Sequence, residues 1–169
     1  MTREAPVLHM ICGMVASGKS TLATQLAEAE ASGIVILSED IWLGALYGDQ
    51  MATLNDYVHA SSTLRGVIGP HVVGLLRAGV SVVLDFAANT VQQRRWMRNM
   101  LEQSGANHRM HVLCVPDEIC RARLHNRNQL GGHPFTVSDT QFDVILQHFV
   151  PPGVDEGFDV EYHGSEAEF

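Results

Sequence analysis

The stretch GMVASGKST, Gly13 to Thr21, decides how the chain is read. Its spacing, Gly13-x-x-x-x-Gly18-Lys19-Ser20, is the phosphate-binding loop (P-loop) pattern. Glycines let backbone N–H groups curl around an anion with no Cβ in the way. Those N–H groups then point at phosphate oxygens, and the helix that follows adds the positive end of its dipole. On this pattern Gly13, Ala16, Ser17, Gly18, Lys19, Ser20 and Thr21 would cradle the phosphates of ATP. Lys19 would reach the β- and γ-phosphates, and the Ser20 hydroxyl would take a place on Mg2+. Four fixed positions recur by chance in roughly one chain of this length in a few hundred, so the flanking sequence matters. The run VLHMIC before the loop reads as a buried strand, and TLATQLAEAEA after it reads as a helix. Lys19 is also the only lysine in the chain.

Working outward, three segments share one order: a helical stretch, a glycine, then an apolar strand. They are EAEASG-IVIL, GLLRAG-VSVVLD and LEQSG-ANHRMHVLCV, with Gly33, Gly79 and Gly105 where a helix-ending glycine belongs. Strands are expected at 7–12, 34–37, 80–85, 109–115 and 158–162. Helices are expected at about 19–31, 55–78, 90–104, 117–129 and 138–149. Nearly continuous apolar runs suit parallel strands covered on both faces. Alternating strands and helices then give a doubly wound α/β fold, which binds ligands at the carboxyl ends of its strands. The acidic tail GSEAEF is expected to fray.

At 169 residues the chain is expected to form a single domain, 1–169. No apolar run approaches a membrane span, and MTREAPV lacks a secretory core. Three irregularly spaced cysteines fit reduced, mostly buried thiols in a cytoplasmic protein. A net charge of −8 disfavours nucleic acid as a partner, since a duplex-binding surface wants a basic stripe. Nine histidines fall into no metal-ligand spacing and read as scattered packing and surface residues. Oligomeric state stays open.

The strand ends carry the candidate chemistry. Asp40, in LSED, follows the second strand and could accept a proton from an attacking hydroxyl. Glu39 competes for that role, and Ser38 or Asp40 could instead cap a helix over IWLGALYG. Asp85 ends VSVVLD, which looks like a Walker-B strand positioning Mg2+ through water. It could equally bond the acceptor or cap a turn. In CRARLHNRNQLGGHPF, Arg123 and Arg127 stand four apart on one helix face before a glycine loop. That suits a lid over phosphates at about 128–137, or a solvated basic face. QQRRWMRN, with Arg94, Arg95 and Arg98, reads as a surface helix with Trp96 and Met97 partly packed. Arg94 or Arg95 could still meet an anionic acceptor.

These pieces, in this order, resemble the small P-loop kinases: zeta-toxin-like and polynucleotide-kinase-like ATP-binding proteins, chloramphenicol phosphotransferase, and gluconate and shikimate kinases. The resemblance runs from about residue 7 to 163. It rests on GMVASGKST, LSED, VVLDFAANT, RLHNRN, GGHPF and FVPPGVDEGFDVEY. It implies a three-layer P-loop fold with a five-stranded parallel sheet and a short lid. It also implies transfer of the γ-phosphate of ATP, with Mg2+, to a hydroxyl of a small-molecule acceptor. Asp40 matches the base, Arg123 the position against the adenine, and Arg127 the lid arginine. Asp85 and Asn89 match positions near the acceptor or metal. The chain departs from the pattern in DIWLGALYG, where an arginine is missing and Trp42 and Tyr47 stand instead. Trp42 is therefore expected either to touch an apolar acceptor or to belong to the core. The segment 48–64 has no match and is expected to hold specificity.

Other readings remain. One is a nucleotide-dependent switch or regulatory ATPase. Another is a polynucleotide or nucleotide-sugar kinase. A GTPase is disfavoured because no NKxD stretch is present, and a motor ATPase because Phe86, not a glutamate, follows VVLD.

Overall fold

The computed structural model describes residues 5–30, 33–133 and 135–164. Among these are five strands: β1 (Val7–Cys12), β2 (Ile34–Ser38), β3 (Ser81–Ala87), β4 (Asn107–Leu113) and β5 (Val160–His163). The helices are α1 (Lys19–Ala29), α2 (Glu39–Tyr47), α3 (Leu54–Arg77), α4 (Val91–Ser104), α5 (Asp117–Leu130) and α6 (Asp139–His148). The strands form one all-parallel sheet in the order β2-β3-β1-β4-β5.

Period-2 alternation along the central strands builds the three layers. Leu8, Met10 and Cys12 of β1 join Val82, Leu84 and Phe86 of β3 in the main core, against Leu64, Ile68 and Val72 of α3 and Met97 and Met100 of α4. Ile11 and Val83 point the other way, onto Leu22 and Ala23 of α1. Met14, Cys120, Leu124 and Phe142 close a third cluster that ties α5 and α6 to the loop after β1. Each buried Leu, Ile, Val, Phe or Met among them contributes about 1.5–3 kcal/mol of hydrophobic free energy. The sheet order puts β1 between β3 and β4, so the loop leaving β1 opens at the centre of the sheet's carboxyl edge.

Local signals agree with this frame. Gly79 and Gly105 take positive φ directly at the ends of α3 and α4, as helix-ending glycines do. Gly33 also takes positive φ, but it lies beyond Glu30, the C-cap of α1, and leads into β2 instead. Capping boxes open α3 (Thr53 with Asp56), α4 (Thr90 with Gln93) and α6 (Ser138 with Gln141). DIWLGALYG forms most of α2, with Ser38 as its N-cap residue. The segment 48–64 becomes a 3-10 turn, Gly48–Gln50, and the first turns of α3. The expected fraying of the tail falls on 165–169, outside the described residues. The first helix ends at Ala29, with Glu30 already extended, short of the expected 31.

QQRRWMRN forms a helix that exposes Gln92, Arg95 and Asn99, as expected of a surface helix, but the placement of Arg94 is corrected. Arg94 is wholly buried. Its guanidinium donates to both Glu156 carboxylate oxygens (2.7 Å each) and to the carbonyls of Ala88 (2.9 Å) and Val150 (2.7 Å). A guanidinium can leave water only when its N–H groups are matched in this way. Arg98 donates to the Glu156 carbonyl at 2.7 Å and lies over the Phe158 ring. Together they fasten the segment before β5 to α4. Arg94 is therefore not available to an acceptor, whereas Arg95, the other candidate, is exposed. Of their neighbours, Met97 is buried and Trp96 partly so.

Candidate active site

The loop after β1 and the first turn of α1 form the floor of a cleft of ≈ 1760 Å³ at the carboxyl edge of the sheet. Gly18 opens α1 in the left-handed region (φ 104°), with no side-chain cap. A Cβ on Gly13 would sit 2.6 Å from Ser17 Oγ, so the loop closes only around glycine there. Ala16 also takes a positive φ, 62°, a conformation that costs a non-glycine residue on the order of 1 kcal/mol. Asn89, just past β3, clamps the loop. Its side chain accepts from the Gly13 N–H and donates to the Gly13 carbonyl, both at 2.9 Å.

Lys19 Nζ donates to the carbonyls of Gly13 and Met14, each at 2.8 Å. Burial lowers its pKa, while Asp85 and Asp40 nearby favour the ammonium. Ser20 Oγ donates to Asp85 Oδ2 at 2.8 Å, and Ser38 Oγ to the same oxygen at 3.1 Å. A hydroxyl and a carboxylate side by side form an oxygen donor set, the kind that Mg2+ prefers.

Asp40 opens α2 beside the cleft, 3.5 Å from His133 Nε2. Burial raises its pKa above the usual carboxylate value; His133 and Lys19 oppose this, and Glu39 and Asp85 add to it. Glu39 lies in a different environment. It is buried, accepts from Ser61 Oγ, and pairs with Arg65 at 3.1 Å. Its charge is committed to the fold.

Arg123 and Arg127 both line the cleft from α5. Arg123 donates to the Ser17 carbonyl at 3.3 Å. Arg127 Nε and Ser17 Oγ are the two buried side-chain polar atoms without a hydrogen-bond partner among the described residues. Both belong to this site, and both can donate a hydrogen bond. With the glycine cradle at Gly13, they fit a bound polyphosphate. Arg121, from the same basic run, turns away to pair with Asp139 and Asp143.

The wall beyond Asp40 was not foreseen. It consists of Tyr57, Arg65, Trp96 and Phe135. Tyr57 meets Phe135 edge-on at 5.5 Å, and Arg65 lies over Trp96 at 5.1 Å. Trp42, expected as an acceptor contact or as core, is neither. It is 39% exposed on α2 and does not line the cleft. Tyr47 packs against the main core instead. Arg65 thus brings a guanidinium from α3 to the cleft wall, paired with Glu39. The only sequence signal for it was an arginine four residues beyond Ser61, which put both on one helix face.

The histidines are not all scattered. His9, His111 and His163 run in a hydrogen-bonded row across β1, β4 and β5, at 3.0 and 2.9 Å. Burial holds His111 at a pKa of about 4, helped by His9 beside it, and lowers His9 as well. The three cysteines are buried, and none forms a disulfide among the described residues. No helix among the described residues is long and apolar enough to cross a membrane.

The model of the AAA domain family matches residues 8–152. No curated protein matches the sequence. Among solved structures, the chain is similar to a protein from Chloroflexus aurantiacus J-10-fl provisionally assigned as a kinase, at 16% identity and TM-score 0.76, covering 94% of this chain and 85% of that one. It is also similar to Kti12 of Chaetomium thermophilum, solved with ADP-AlF3, at 16% identity and TM-score 0.71, covering 95% and 92%. A gluconokinase from Sinorhizobium meliloti 1021 matches at 18% identity and TM-score 0.61, covering 95% and 84%. Identities this low carry the fold alone. The loop at Gly13–Thr21, the sheet order and the family match agree: the chain belongs to the AAA domain family and has the three-layer α/β fold of P-loop kinases.

Proposed function

We propose that this protein is an ATP-dependent phosphotransferase that moves the γ-phosphate to a hydroxyl of a small-molecule acceptor. The observation that carries the reading is convergence. Lys19, the Ser20–Asp85 pair, Asp40 and Arg127 all face one cleft, and an aromatic wall continues it beyond Asp40. The phosphates of ATP would lie in the loop Gly13–Thr21, with Lys19 turned from the loop carbonyls onto them and Arg123 toward the base. Ser20 and Asp85 would hold Mg2+, which neutralises phosphate charge when bound.

Asp40 is the base. It takes the proton of the acceptor hydroxyl as the oxygen forms its bond to the γ-phosphorus, and the bond to the bridging oxygen of ADP breaks. Glu39 is already paired with Arg65 and hydrogen-bonded by Ser61, which leaves Asp40 as the carboxylate for this step. Arg127, on the last turns of α5, offsets charge on the transferring group. The segment 128–137 acts as a lid that carries His133 and Phe135 against Asp40 and Tyr57. The acceptor lies against Tyr57, Trp96 and Phe135, with Asn89 behind the loop as a positioning residue. The whole chain works as one kinase unit.

The test is transfer from γ-labelled ATP, with Mg2+, to a mixed hydroxyl panel read by mass spectrometry. Sugars, nucleosides, nucleotide sugars, phenicols and short oligonucleotides belong in the panel. A labelled organic product supports the reading. Label released only as free phosphate opposes it.

A further inference from the structure

The histidine row ends at a side-chain cluster outside the proposed chemistry. His111 on β4 and His163 and Glu161 on β5 bring one ligand atom each to within 4.8 Å of one another. His111 Nδ1 is 2.9 Å from His163 Nε2. Glu161 lies 4.0 Å from His111 Nδ1 through Oε2, and 3.8 Å from His163 Nε2 through Oε1. Parallel pairing sets this up, because Glu161 stands opposite His111 in the β4–β5 ladder. His163 follows two residues later on the same face.

We propose that His111, Glu161 and His163 form a binding site for a divalent transition metal of the zinc class. Two imidazoles and a carboxylate are a donor set that zinc takes, with a fourth position left to water. A tetrahedral ion with ligand bonds of about 2.0–2.2 Å spaces its donors about 3.3 Å apart. The two nitrogens would open by a few tenths of an ångström, and the carboxylate would close by about half an ångström on His163 and by more than that on His111. The larger change falls on Glu161 and His163 of β5, the edge strand, where side chains can rotate. In forming the site, the ion takes the place of the proton shared between His111 and His163, and that proton moves to the far nitrogen of His163.

The surroundings supply what a metal-bound histidine needs behind it. A ligating imidazole donates its second N–H to a partner that fixes its tautomer. For His111 that partner is His9, whose Nδ1 lies 3.0 Å from His111 Nε2. His9 Nε2 in turn faces Glu30 at 3.9 Å. With His111 donating to His9, and His9 pointing its own proton at Glu30, the Nδ1 lone pair of His111 is turned to the ion. Glu161 is braced in the same way: Arg109 bonds Oε2 at 3.1 Å, leaving Oε1 toward the ion. Asp159 at 3.0 Å shares the charge of that arginine. The approach is open, since Glu161 is 45% exposed and His163 lines the nucleotide cleft. An ion here would staple β5, the last strand, to β4.

The experiment uses the full chain with its affinity tag removed, treated with chelator and titrated calorimetrically with zinc in excess Mg2+. Cobalt(II) is used in parallel as an absorption probe. The expected result is one equivalent bound, with the intense visible bands of four-coordinate cobalt. His163→Ala and Glu161→Gln should each weaken binding at least tenfold. His9→Gln, which touches no ion, should weaken it by about 10–100-fold through His111. His163 and Glu161 stand on the edge strand, so circular dichroism of those variants should match the parent. Absence of zinc uptake overturns the proposal. So does one equivalent retained unchanged by His163→Ala, since the ion would then sit elsewhere. Because uptake is read without turnover, the result is independent of whether the protein transfers phosphate.

Discussion

Glu39 and Asp40 adjoin in sequence and both line the cleft, yet only Glu39 is paired with a guanidinium. In sequence both were candidates for the base. Helical geometry separates them, because successive residues on α2 point about 100° apart, and α3 then offers Ser61 and Arg65 to one of them only. Asp40→Asn should keep ATP affinity and lose transfer, which nucleotide titration beside a transfer assay would show. The pH dependence follows from its surroundings. The base must be ionised and its pKa is raised above 3.8, so transfer should fall with acid at a pH above the ordinary aspartate range. A raised carboxyl favours the folded state below its unfolded pKa, and that contribution is lost as pH rises through the folded value. Asp40→Asn should therefore raise the urea midpoint at neutral pH and leave it unchanged in acid. Lys19→Ala should abolish nucleotide binding, because no second lysine exists to replace it.

At the scale of elements, Arg94 shows how a helix holds a loop. Arg94→Ala removes the partner of a part-buried carboxylate and several backbone carbonyls, and should cost about 3–5 kcal/mol in urea unfolding. Arg94 depresses the pKa of Glu156 below 4.5. Its contribution is thus complete above that value and lost as pH falls through the depressed one, and the variant should lack this acid loss. The strands and most helices were legible in sequence, since apolar runs and helix-ending glycines are local signals. Arg94 was not legible, because Val150 and Glu156 lie 56 and 62 residues away. α2 was only half legible: nine residues with an apolar majority fit either a short helix or a buried loop.

For the molecule as a whole, the half of the cleft built by contiguous sequence was readable and the other half was not. Gly13–Thr21 is one stretch, whereas the aromatic wall joins Tyr57, Trp96 and Phe135 from α3, α4 and the segment after α5. Only the fold brings these together, and nothing in the sequence separates Trp96, in the cleft, from Trp42, outside it. A ligand held by the loop and both flanks should stabilise the entire chain. MgATP at one hundred times its Kd should add about 2.7 kcal/mol, seen as a higher melting temperature that Lys19→Ala abolishes. The most direct measurement of the central claim is phosphate transfer from γ-labelled ATP into the hydroxyl panel, with the parent protein and Asp40→Asn side by side. Phosphotransfer predicts a labelled organic product made by the parent and lost in the variant, with ATP binding equal in both. Label appearing only as free phosphate, at the same rate in both proteins, would contradict it.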